Sequence, residues 1–192
     1  MSALTILIIR HAEKPGGAWP GPGLTAEGVE DEKSLVIRGW QRAGAWAALF
    51  GSDRGGADFP SPTRMYAANP RAEGAPAGVA LPSQRPDETV TPLAAKLDQK
   101  TVTTFAQGQE AELANDAVKQ SGTVLISWEH KKIVTDLLPA IAGGADLDLP
   151  THWPGERFDV VLRFDRAGAE ADWQFRQLFP MLLSGDSDTP LP

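Results

Sequence analysis

The hydrophobic positions of this chain change period in a regular order. Residues 4–9, Leu-Thr-Ile-Leu-Ile-Ile, form a nearly unbroken β-prone apolar run, the pattern of a strand covered on both faces. Residues 123–127, Thr-Val-Leu-Ile-Ser, repeat it. Between these runs the period lengthens. Over residues 38–50, Trp40, Ala43, Ala47 and Phe50 fall on one helical face, and Gly51 supplies a stop. Helices are also predicted over 86–97, where Leu93 and Leu97 lie one turn apart, and over 109–120, ahead of Gly122. Residues 131–142 read as a helix that Pro139 should kink or end early. Short strands are predicted at 64–68 and 102–105. Two more, at 158–164 and 173–179, are joined by a glycine-containing turn near 166–169. Residues 14–24 and 52–62 are loops, and 29–35 is a charged turn or short helix. Residues 69–82 carry Pro, Gly and Ala without periodicity, which predicts an insertion on the rim. Strands alternating with helices predict a three-layer α/β/α sandwich with a mostly parallel central sheet. There are no internal repeats and no linker, so residues 1–192 read as one domain.

Composition narrows the function classes. Hydrophobic content is 42%, as for a soluble globular protein, and no apolar run approaches the roughly 20 residues of a membrane span. The first residues enter a strand directly, without the pattern of a secretory signal. Cysteine is absent, which excludes disulfides and thiolate metal sites and fits a cytoplasmic location. A net charge of −7 argues against a nucleic-acid partner, and nothing suggests a membrane partner. Any anion site must therefore generate its own local positive field.

Candidate chemistry lies where both strong strands end. The chain has three histidines, and two follow these strands: Ile8-Ile9-Arg10-His11-Ala12-Glu13 and Ile126-Ser127-Trp128-Glu129-His130-Lys131. In an open α/β sheet, ligands bind beyond the carboxyl ends of the strands. Two imidazoles and the Arg10 guanidinium at one such rim suit phosphoryl transfer. Histidine can act as nucleophile, and the planar arginine fork holds phosphate oxygens.

These residues resemble a known family. Arg10-His11-Ala12-Glu13-Lys14-Pro15 is similar to the opening motif of the histidine phosphatase superfamily, the phosphoglycerate-mutase-like proteins, with Ala12 where Gly is commoner. Arg38-Gly39-Trp40-Gln41-Arg42-Ala43 resembles the family's Gly-x-x-Gln/Arg-Ala helix start. Ser83-Gln84-Arg85-Pro86-Asp87-Glu88-Thr89 resembles its Ser-x-x-Arg-Ala-x-x-Thr segment, and His130 falls on its second histidine. The resemblance covers residues 4–142. It implies a phosphoglycerate-mutase-like fold and a phosphomonoester hydrolase acting through phosphohistidine on His11. Arg10, Arg85 and His130 would complete the phosphate pocket, with no metal, no cofactor and a small phosphorylated substrate. Alternatives are a phosphomutase on the same chemistry, or a non-catalytic phosphate-ligand or protein-interaction module on the same fold.

Several assignments stay open. Arg71, in Tyr66-Ala67-Ala68-Asn69-Pro70-Arg71, rivals Arg85, which is preferred because Arg85 and Thr89 keep the family spacing. Glu129 is the first candidate for a general acid and Glu13 the second; the remaining alternative is a site without a dedicated acid, which would favour good leaving groups. Trp19 and Trp128 are candidates for the cleft wall, while Trp40 and Trp46 read as packing groups. Arg38 and Arg42 read as surface or salt-bridged, and Glu30-Asp31-Glu32 as a solvated turn. Lys14, Lys131 and Lys132 are either solvated or sources of positive field, and His152 reads as a surface residue. Oligomeric state is not legible.

Overall fold

The computed structural model describes residues 3–52, 55–71 and 83–192. The predicted insertion at 69–82 therefore lies largely outside the described residues. In chain order the elements are β1 (Leu4–Arg10), α1 (Ile37–Phe50), β2 (Arg64–Ala67), α2 (Arg85–Lys96), α3 (Glu110–Ala117) and β3 (Gly122–Trp128). There follow α4 (His130–Lys132), a π turn (Ile133–Leu137), α5 (Leu138–Ala142), β4 (Val161–Arg166) and β5 (Gln174–Leu178).

One five-stranded sheet has the order β2-β3-β1-β4-β5. β1 pairs in parallel with β3, and β3 with β2, while β4 runs antiparallel to both β1 and β5. All strands except β4 thus point the same way. The sheet is mixed in its pairing but mostly parallel in direction, within the expected α/β/α architecture. Val102 adds only an isolated bridge to Tyr66, so the strand expected at 102–105 does not form.

The apolar runs explain the layers. Because β-strand side chains alternate, Leu4, Ile6 and Ile8 of β1 join Val124, Ile126 and Trp128 of β3 on one face. There they pack with Leu113 of α3, Leu137 of the π turn and Ile141 of α5. Leu7 and Ile9 face the other way with Leu125, against Trp46 and Phe50 of α1 and Val90 and Leu93 of α2. Both faces are covered, which is why these strands are apolar at nearly every position. Among the described residues, no helix is long and apolar enough to cross a membrane.

The helix after β3 breaks where Pro139 predicts. A regular α turn would set the proline ring against the carbonyl of Thr135. The chain instead widens, and Leu138 N–H donates to Ile133 O across a π turn. Gly143, at φ +60°, then closes α5 in the left-handed conformation.

The strand expected at 158–164 begins only at Val161. Asp159 is taken up by other partners: it accepts from Arg157 Nε at 2.8 Å and from Ser187 N at 2.6 Å. Phe158 turns under Arg10 instead of extending the strand, with the guanidinium carbon 3.8 Å from its ring centroid.

Candidate active site

Parallel pairing of β1 with β3 brings the two strand-end histidines together. The register sets Arg10 beside Trp128, and His11 N–H donates to Trp128 O at 2.9 Å. His11, Arg85, Glu129 and His130 line one cleft of about 200 Å³, with Lys14, Lys33, Ser83, Pro86 and Gln107. Arg10, the last residue of β1 and next to His11 in the chain, is almost fully buried and is not among the lining residues.

The tautomer of His11 follows from one contact. Its Nδ1 is 2.8 Å from Ala12 O, and a carbonyl can only accept, so Nδ1 carries the proton. The lone pair is left on Nε2. Burial holds the pKa of His11 down to about 3, reinforced by Arg10, Arg85 and His130 and opposed by the bond to Ala12. The ring is neutral at physiological pH, the form a nucleophile requires.

Arg10 is fixed at one end only. Its Nη1 donates to the carbonyls of Pro154, Gly155 and Arg157 at 3.2, 2.7 and 2.9 Å. Its buried Nε and Nη2 have no hydrogen-bond partner among the described residues. Burial lowers its pKa to about 10, against the pull of Glu129, Glu156 and Glu13, so it remains charged at neutral pH. Arg85 is likewise held by carbonyls, through Nε to Ser34 O at 3.3 Å and Nη2 to Glu32 O at 2.5 Å. Arg71 is exposed, and its described hydrogen bond runs from its amide to Asn69 Oδ1 at 2.8 Å. Of the two rival arginines, Arg85 is the one that lines the cleft with His11 and His130.

Thr89 locks the loop that carries His11 to α2. Its hydroxyl accepts from Ala12 N at 2.8 Å and donates to Arg85 O at 2.6 Å. Glu88 pins the neighbouring loop, accepting from Ser34 Oγ at 2.6 Å and Leu35 N at 2.9 Å. Gly39 lets α1 approach from the other side: a Cβ there would lie 2.5 Å from Glu13 O.

The two candidate acids have different fates. Glu13 is buried with its Oε1 accepting from Arg42 Nε and Nη2 at 2.9 and 2.8 Å, within a network that continues to Asp186. That places it in the structural support of the loop rather than among the groups lining the cleft. Glu129 does line the cleft. Its Oε2 caps α4 by accepting from Lys132 N at 2.9 Å, and its Oε1 lies 2.6 Å from His130 Nδ1. The approach is close, but His130 Nδ1 makes no well-aligned hydrogen bond to that oxygen. Burial alone would raise the pKa of Glu129. His130 and the amides of Lys132 and Lys131 outweigh it and hold the carboxyl down to about 2. This environment runs against the expectation of a protonated Glu129: held ionised, the side chain has no proton to donate at neutral pH, and so low a pKa makes it a weak base as well.

Other expectations are revised. Trp128 is not a cleft wall. It is fully buried, with Nε1 donating to buried Glu110 at 2.9 Å. Trp19 is half-buried and stacks on Arg38, 4.3 Å from ring centroid to guanidinium. His152 is exposed, yet it joins Lys131, Val134 and Trp153 in a second cleft of about 300 Å³ that shares His130. Lys132 pairs with Asp136 at 3.0 Å. Sequence reasoning missed the support beneath the site, namely Phe158, the 154–157 carbonyls and the Arg42–Asp186 pair. Only the polar Arg42 on the buried face of α1 hinted at it.

No family model matches this chain, and no curated protein does. Among solved structures, one similar chain is described as mycobacterial hydrolase 2, with 11% identity, a TM-score of 0.50, and coverage of 98% of this chain and 95% of that one. The two share a fold. At this identity the likeness speaks for the α/β architecture alone. A native structure of a mycobacterial glucosyl-3-phosphoglycerate phosphatase also aligns, at 13% identity over 90% of this chain and 97% of that one, with a TM-score of 0.48.

Proposed function

We propose that this protein is a phosphomonoester hydrolase that transfers the phosphoryl group first to His11 and then to water. The observation that carries the reading is the state of His11: neutral, with its proton fixed on Nδ1 by Ala12 O, beside buried Arg10 donors that have no partner among the described residues. Nε2 attacks phosphorus, the P–N bond forms, and the P–O bond breaks with its electron pair going to the leaving oxygen. Arg10 Nε and Nη2, Arg85 and His130 receive the phosphoryl oxygens, where charge must be stabilised as the bond breaks. Water then attacks the phosphohistidine, the P–N bond breaks with its electron pair returning to Nε2, and the proton of the water is lost to solvent. The chemistry is assigned to these side chains without a divalent ion.

The fold relationship to a hydrolase is compatible with this reading, but the site geometry is what supports it. The test is turnover of p-nitrophenyl phosphate with and without EDTA, alongside rapid acid- and base-quench of the labelled enzyme. An acid-labile, base-stable phosphoenzyme is expected, absent from His11→Ala. Full turnover by His11→Ala would refute the nucleophile, and loss of turnover in EDTA would refute the metal-free mechanism.

A further inference from the structure

The cleft holds more positive charge than one phosphoryl group needs, and its carboxylate is already engaged at both oxygens. Beyond Arg10, Arg85 and the histidines, Lys14 and Lys33 also line it, with Ser83 and Gln107 as neutral donors. Lys14 is half-buried, and Lys33 is exposed at the rim. The Lys33 backbone is tied to the start of α2, its carbonyl accepting from Gln84 N at 3.2 Å and Ser83 Oγ at 3.3 Å. Both arginine contacts from Arg85 land on the same loop, at Glu32 O and Ser34 O. The lysine is thus carried on a segment fixed to the pocket, not on a free loop. Among the described residues lining the cleft, Glu129 is the single carboxylate. Both of its oxygens are engaged, by Lys132 N and by the His130 ring. A phosphate ester of an ordinary alcohol would leave as an alkoxide with no protonated carboxyl in the lining to meet it. The surplus cations favour a leaving group that departs already charged.

We propose that the preferred substrate is a diphosphate monoester, R–O–PO₂–O–PO₃, whose terminal phosphoryl group goes to His11 while the inner phosphate sits against Lys14 and Lys33. This rests on the phosphohistidine reading and specifies its substrate class. His11 Nε2 forms a bond to the terminal phosphorus. The bridging P–O bond breaks, and its electrons stay on the bridging oxygen, which leaves as part of R–O–PO₃. Water then cleaves the P–N bond, whose electron pair returns to Nε2, giving inorganic phosphate and releasing a proton to solvent. Neither step needs a proton donor to the leaving group or any further reactant.

Benzyl diphosphate and benzyl phosphate share one organic group but differ in what leaves, and p-nitrophenyl phosphate reports the core chemistry. General acids contribute roughly 10²–10⁴ in rate, so without one kcat/KM for benzyl diphosphate should exceed that for benzyl phosphate by at least about 10². A smaller ratio, with p-nitrophenyl phosphate turned over normally, overturns this proposal and leaves the phosphohistidine reading standing. Failure on all three compounds overturns both. The double variant Lys14→Gln/Lys33→Gln should lower the ratio of kcat/KM for benzyl diphosphate to that for p-nitrophenyl phosphate by about tenfold or more, since bonds to charged groups are lost. An unmoved ratio would remove the lysines from the site and overturn the proposal.

Discussion

Replacing Arg42 by Met should be among the most damaging single changes outside the cleft. Arg42 is 3% exposed, Glu13 1% and Asp186 2%. Nε and Nη2 bind Glu13, while Nη1 and Nη2 bind Asp186 at 3.2 and 2.8 Å, so every guanidinium nitrogen is used. Methionine fills much of the volume but leaves two buried carboxylates without a cation. Breaking a buried pair from one side costs about 3–5 kcal/mol. For a chain of this length, about 2–4 °C is lost per kcal/mol, so the melting temperature should fall by roughly 6–20 °C. Arg42→Lys keeps the charge but not the fork, and should lie between.

The pH dependence separates lost charge pairing from lost packing. Burial alone would raise the pKa of Asp186, but its bonds to Arg42 and to the Leu183 amide hold it low. A depressed carboxylate contributes stability above its unfolded pKa, about 3.9, and loses it as pH falls through the folded value. In Arg42→Met the stranded carboxylates prefer to be protonated, so lowering the pH should relieve the variant while it weakens the parent. Urea unfolding at pH 7 and near pH 4 should show the deficit shrinking. A deficit under about 1 kcal/mol at pH 7, or one independent of pH, would refute the buried ion-pair account. Because Glu13 O also accepts from Val36 N at 3.1 Å, the change should reach the nucleophile loop and lower kcat more than it raises KM.

Thr89→Val strands the buried Ala12 amide and should cost about 1–3 kcal/mol in chemical unfolding, with a fall in kcat; an isoenergetic variant would show the loop is held otherwise. Arg85→Ala should reduce kcat/KM for p-nitrophenyl phosphate by about 10²–10³, while Arg71→Ala should be much milder; the reverse order would exchange the two. Since His11 is neutral in the fold down to about pH 3 but titrates near 6.5 when unfolded, the unfolded state binds more protons between those values. Stability should therefore fall as the pH is lowered across that window, and His11→Asn should flatten the slope; an unchanged slope would place the acid sensitivity elsewhere.

The elements most legible in the sequence are those whose pattern depends on local burial. The apolar runs at β1 and β3, and the stripe on α1, reflect which faces are covered, and each forms within a residue or two of its expected place. The strand-end position of His11 and His130 was legible for the same reason, because strand ends can be read from the runs. What escaped depends on distant partners. Phe158 reads as a strand residue until Asp159 is claimed by Ser187, far along the chain. Trp128 reads as a cleft residue because it adjoins His130, yet the alternation of β3 turns it into the core toward Glu110. The ionised state of Glu129 depends on the approach of His130 and the cap at Lys132, neither of which has a sequence pattern of its own.

How the arginines are held explains how an acidic protein can keep a positive cleft. Arg42, Arg157 and Arg163 each pair with a carboxylate, and their charge is cancelled where it stands. Arg10 and Arg85 take their positioning bonds from carbonyl oxygens. A carbonyl fixes a guanidinium without neutralising it, so these two remain electrostatically available to an anion. The distinction implies a specific failure. Gly155→Asp places a carboxylate beside one of the Arg10 acceptors, on an exposed loop that tolerates the side chain. It should leave the melting temperature close to that of the parent while weakening inorganic phosphate binding and raising KM. If phosphate binds equally well to this variant, the uncancelled charge of Arg10 is not what draws the anion.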